Sequence, residues 1–163
     1  MLTFFETWNK GELPNLNKHY EADFACLKSM GVEAIRLPIH FELLMEPYDT
    51  GTIYDFVLEK LDQVCDWAER NQIYLIIDNH NNHTFDPFGQ WTYTNNDFIL
   101  LQKHLESVWS QIALRYKDRS DYIIYEIMNE PNGGNAGKWY KIQQETVKLI
   151  RSYDSKHSIV VVV

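Results

Sequence analysis

Three apolar segments of this chain end on side chains that a hydrophobic core does not select. EAIRLPI (Glu33–Ile39) carries Arg36. IYLIID (Ile73–Asp78) runs into Asp78, Asn79 and His80, and YIIYEIM (Tyr122–Met128) runs into Asn129 and Glu130. A Glu or His held at the end of a strand is placed for proton transfer, and a Glu doing such work is usually paired with a second carboxylate. Each residue also has a plainer reading. An arginine in a strand can neutralise a core carboxylate, an aspartate at a strand end can cap the next loop, and a histidine there can be structural. Three successive strand ends of the same character favour a site.

The elements around these residues alternate between helix and strand. Phe24, Leu27 and Met30 fit one face of a first helix closed by Gly31. A second helix starts near Tyr54 and presents Val57, Leu61, Val64, Cys65 and Ala68, with Asn71 as a left-handed cap. A third uses Phe98, Leu101, Leu105, Val108 and Ile112, and a fourth uses Trp139, Ile142, Thr146, Leu149 and Tyr153. The last strand is SIVVVV (Ser158–Val163), and Leu2–Phe5 fits a strand stub. Apolar strands alternating with helices predict a parallel α/β sheet, and chemistry in such sheets collects at the carboxyl ends of the strands. A whole (β/α)8 barrel takes about 250 residues. With 163 residues and four to five strands, the chain is expected to be a single domain over 1–163, a truncated half of a TIM barrel.

Composition narrows the partners. Fifteen Lys and Arg against 23 Asp and Glu give a net charge of −8. That argues against nucleic acid, whose affinity comes largely from neutralised phosphates. No apolar stretch is long enough for a membrane-spanning helix, and the start, MLTFFETWNK, is not the pattern of a signal peptide. Cys26 and Cys65 are expected to be buried free thiols.

RLPIHF (Arg36–Phe41), IIDNH (Ile76–His80) and YEIMNEP (Tyr125–Pro131), in this order and spacing, resemble glycoside hydrolase family 5, the cellulase-like group of retaining (β/α)8 glycosidases. LTFFETWN (Leu2–Asn9) is similar to the segment that follows the family's first strand. The resemblance covers nearly the whole chain. It implies a β-glycanase of the endo-β-1,4-glucanase type acting on β-glucan oligosaccharides or polysaccharides, with a mannanase as the alternative inside the family. It implies Glu130 as general acid/base and Asn129 as the partner of the sugar 2-hydroxyl. His80 would line the subsite at the cleaved bond, and Arg36 would orient the nucleophilic glutamate. Family relatives are commonly secreted.

In the family that nucleophile stands on the seventh strand, and the sequence reaches only what resembles the fifth. Arg36 is therefore expected to lack its partner. Glu33, Glu42, Glu46 and Asp86 do not fall at a matching strand end, and Asp78 is expected to fix its loop. A catalytically inactive half-barrel is the alternative function. In the loop Asn81–Asn96, the rings of Phe85, Phe88, Trp91 and Tyr93 suit stacking on sugar C–H faces, and Trp91 is taken as a substrate-binding residue. Asp78, His80 and His83 are spaced closely enough to suggest metal ligands, but the resemblance already accounts for His80, and no metal or cofactor is expected. An open half-barrel would expose sheet edges and an apolar inner face. Self-association, most simply a two-fold homodimer, is the expected consequence.

Overall fold

The computed structural model describes residues 14–47, 50–80, 95–131 and 136–161. The first helix, α1 (Glu21–Ser29), opens with Glu21 and Asp23 in the turn where the helix dipole favours negative charge. It closes with Gly31 at φ 85. The Gly31 N–H donates to the Lys28 carbonyl at 2.9 Å and the Val32 N–H to that of Leu27 at 3.1 Å. Phe24 is fully buried from this helix, but Met30 is its C-cap and 72% exposed. The expected apolar face thus ends one turn early, and Cys26 is exposed rather than buried.

Four parallel strands form the sheet, in the order β1 (Ala34–Ile39), β4 (Tyr74–Asn79), β5 (Ile123–Glu126), β6 (Ser158–Val160). Side chains alternate across it. Ile35, Leu37, Ile39, Leu75, Ile77, Ile123 and Tyr125 are buried on one face. Arg36, Ile76 and Ile124 lie in register on the other face and are only half-buried. One row nearer the strand ends, Pro38, Asp78, Glu126 and Val160 align. The register therefore puts an arginine directly beneath a row that holds two carboxylates.

Between β1 and the next helix the chain makes a short 3-10 turn (Phe41–Leu43) and a small antiparallel hairpin, β2 (Met45–Glu46) with β3 (Thr52–Ile53). No periodic pattern in the sequence marks this hairpin. The Gly51 carbonyl accepts the Ser107 hydroxyl at 2.6 Å and the Gln111 amide at 3.1 Å, which ties the hairpin to a later helix. A Cβ at Gly51 would stand 2.1 Å from the Glu46 carbonyl carbon, so this close approach requires glycine.

Helix α2 (Asp55–Arg70) buries Val57, Leu61, Val64, Cys65 and Ala68, the expected face. Its left-handed cap is Gln72 at φ 53, not Asn71. Asn71 stays on the helix because its side-chain amide donates to the Trp67 carbonyl at 2.8 Å. Helix α3 (Asn95–Tyr116) buries Phe98, Leu101, Leu105, Val108 and Ile112 as expected, and Trp109 with them. Helix α4 (Ala136–Tyr153) is turned slightly from the expected register. Ile142 and Thr146 are buried, but Gln143 and Ile150 complete the face while Tyr153 is exposed. Spacings of four residues, 142–146–150, replace the expected step to Leu149. Among the described residues no helix is long and apolar enough to cross a membrane. The Leu2–Phe5 stub lies outside the described residues.

Candidate active site

Strand β5 ends two residues before the expected Met128. Beyond Glu126 side-chain bonds join the remaining backbone ones. The Ile127 carbonyl accepts the buried Trp109 indole N–H at 3.0 Å and the Asn79 amide at 3.4 Å. The Asn129 N–H donates to the Asn79 carbonyl at 3.0 Å. This clamp carries the chain out of the sheet at a fixed place, so that Asn129 is buried and Glu130 emerges exposed. Glu130 holds φ 36, one of two non-glycine residues with positive φ among the described residues. Pro131 follows and narrows the allowed dihedrals further. A backbone outlier of this kind costs on the order of 1–3 kcal/mol and persists where the surroundings impose it, commonly at sites of function.

Arg36 lies at the centre. Its Nε donates to Glu126 Oε2 at 2.7 Å and its Nη2 to Glu126 Oε1 at 2.8 Å. Nη2 also lies 2.9 Å from Asn129 Oδ1 and 3.0 Å from Asp78 Oδ2. Arg36 is therefore paired, though not with the seventh-strand nucleophile that the resemblance assigns to it. A guanidinium half-removed from water needs carboxylates close by, and Glu126 and Asp78, one row above it, supply them. The plainer reading of an arginine in a strand is the one observed. The contact with Asn129 also fixes which end of that amide is the oxygen, because Arg36 only donates.

The electrostatics follow from this crowding. The Glu126 hydrogen bond, aided by the charges of Asp78, Glu126 and Glu130, raises the Arg36 pKa against the opposing effect of burial. Burial raises the Asp78 carboxyl above its usual range, and the neighbouring Glu126 adds to that, while His80 and Arg36 pull the other way. One cation thus serves three acidic side chains. Glu126 and Asp78 are both held by the guanidinium.

His80 completes the group. Its Nδ1 lies 2.7 Å from Asp78 Oδ2, so Asp78 holds a histidine as well as an arginine; the loop it was expected to fix lies outside the described residues. The ring of His80 stacks on His40 with centroids 5.6 Å apart and 16° between planes. Arg36, Asp78, His80 and Asn129 are brought together, with Glu130 beside them at the turn. Trp91, like Phe85, Phe88, Tyr93, His83 and Asp86, lies outside the described residues. Among the described residues no group of three His, Cys, Asp or Glu side chains is placed to hold a metal ion.

Sequence reasoning passed over Glu126 and His40. Glu126 is a charged residue inside an apolar strand, two positions after Ile124 on the same face. Strand alternation puts it on the face of Ile124, and the register Asp78↔Glu126 then puts it in the row of Asp78. His40 is a polar residue immediately after β1 and is fully buried. Glu42, weighed as an acid near the loops, is fully buried in the 3-10 turn.

The family model for cellulase, glycosyl hydrolase family 5, matches residues 4–162. The chain belongs to that family. Endoglucanase C of Acetivibrio thermocellus is 26% identical over 137 residues, which cover 83% of this chain and 39% of that protein. Endoglucanase B of Clostridium cellulovorans is 30% identical over 129 residues, covering 78% of this chain and 28% of its own length. The crystal structure of an endoglucanase from the hyperthermophilic Thermotoga maritima superposes with a TM-score of 0.72 at 28% identity. That match covers 86% of this chain and 43% of the Thermotoga chain. The chain thus spans less than half the length of these relatives, and its fold is a partial (β/α)8 barrel of the family 5 type.

Proposed function

We propose that these residues form the acid/base side of a β-glucan-cleaving site. Glu130 is the general acid and base, and Asn129 holds a sugar hydroxyl beside it. His80 lines the same subsite, and Arg36 supplies the positive charge. The observation that carries this reading is the turn at Glu130: an exposed carboxyl on a left-handed backbone, following an amide that Arg36 locks. Retaining hydrolysis needs one carboxyl that donates a proton to the leaving oxygen and a second, ionised, about 5 Å away to attack the anomeric carbon. In this reading Asp78 and Glu126 hold Arg36 in place and the second carboxylate is neither of them. Trp91 serves as a stacking platform in this reading.

The relatives support glucan as the substrate. Those cited are endoglucanases, and the Thermotoga enzyme has been solved with cellobiose. The same enzyme has also been solved with mannotriose, which keeps mannan as a second substrate class. Titration of cellotetraose and of mannotetraose into the purified chain tests the reading. Millimolar binding of cellotetraose, lost in Asn129→Ala, is expected. No binding of either sugar would contradict it and leave a structural half-barrel.

We further propose that two copies associate through the open side of the sheet. Ile76 and Ile124 are half-buried there, and Val160 and Val161 are 37% and 41% exposed at the β6 end. A strand edge of this composition pairs readily with another. Light scattering is expected to give a dimer across the micromolar range, and a well-folded monomer would refute it.

A further inference from the structure

We propose that His40 is a positioning residue for His80. The inference rests on the sugar-site reading for its purpose but not for its geometry. His80 is held at its edge by Asp78 Oδ2, 2.7 Å from Nδ1. Asp78 Oδ2 also takes Arg36 Nη2 at 3.0 Å, which favours the ionised carboxylate, so the imidazole Nδ1–H donates to it. In a neutral imidazole this leaves Nε2 as the acceptor, directed away from Asp78. The Cβ tether and one in-plane hydrogen bond at the neighbouring Nδ1 still leave the far side of the ring room to rock. The flat face of His40, at 5.6 Å and 16°, blocks that rocking.

The backbone registers the two rings. The His80 N–H donates to the Ile39 carbonyl at 2.9 Å, so the ends of β1 and β4 are joined at the residues that carry the stack. The His40 carbonyl accepts the Leu43 N–H at 3.0 Å, which closes the 3-10 turn and anchors His40 itself. His40 is fully buried while His80 remains partly exposed. The buried ring is thus the fixed one, and it sets the direction in which the outer ring presents Nε2.

The test uses the whole chain and two variants. His40→Phe keeps a flat face, and His40→Leu fills similar space without one. The first readout is the nitrogen-15 spectrum of the His80 ring, which needs no sugar. Wild type and His40→Phe are expected to show one Nδ1–H tautomer, and His40→Leu a mixture. The second readout is cellotetraose affinity. It is expected to hold in His40→Phe and to fall about tenfold in His40→Leu, the worth of roughly one misaligned hydrogen bond. A folded His40→Leu with an unchanged His80 spectrum would overturn the inference. A changed spectrum with no sugar binding even in wild type would uphold the positioning and refute the sugar-site reading instead.

Discussion

Arg36 and Glu126, 90 residues apart in sequence, meet in a two-pronged ion pair: Nε on Oε2 at 2.7 Å and Nη2 on Oε1 at 2.8 Å. The pair joins β1 to β5 across the intervening β4, and the same guanidinium reaches Asp78 and Asn129. One cation therefore ties the ends of three strands and the residue before Glu130.

Removing one member of a buried ion pair leaves the other uncompensated, at about 3–5 kcal/mol. The Arg36 side chain retains 30% exposure, so Glu126→Ala is expected to cost less, about 2 kcal/mol, measured by urea denaturation. Arg36→Lys should recover little, because an ammonium cannot span both carboxylate oxygens. A Glu126→Ala variant as stable as wild type would show that the pair contributes nothing net.

The acid limit of stability is expected to depend on Asp154. Burial pushes its carboxyl up, but the Tyr125 hydroxyl, the Lys156 and His157 amides and the His157 ring outweigh burial and hold it below the usual range. Tyr125 donates at 2.7 Å. A carboxyl depressed in the folded state adds stability that is complete above its unfolded value, about 3.9, and is lost as pH falls through the folded value. Wild type should exceed Asp154→Asn by about 1–3 kcal/mol at neutral pH, with the gap closing only below about pH 4. A gap independent of pH would locate the effect in packing rather than charge.

The two thiols are expected to react very differently. Cys26 is exposed, whereas Cys65 is fully buried and burial pushes its thiol far up. The thiolate is the reactive form. A thiol reagent should label one cysteine per native chain within minutes and the second only on unfolding. Rapid labelling of both would mean that α2 opens readily.

Much of this was legible in the sequence. The 3.6-residue period placed the buried faces of α2 and α3, and the resemblance singled out Arg36, His80, Asn129 and Glu130. What escaped it depended on tertiary contacts. The partners of Arg36 come from strands 42 and 90 positions later, and only the sheet register reveals that Asp78 and Glu126 share a row. The cap of α2 moved from Asn71 to Gln72 because an asparagine side chain found the Trp67 carbonyl. The β2–β3 hairpin depends on Gly51 packing against Glu46 and on acceptors for Ser107 and Gln111. The Gly51–Glu46 approach follows no strand or helix period, and Ser107 and Gln111 lie 56 and 60 positions from Gly51.

Reducing-sugar release from soluble β-glucan, by the purified chain beside Glu130→Gln, shows whether Glu130 is the acid. Wild type is expected to release sugar and the variant to lose that release by at least about a hundredfold, the usual scale for removing a general acid. Equal release by both would show that Glu130 is not the acid. No release by either would contradict catalysis by this chain and leave the Arg36 cluster as the framework of a barrel half.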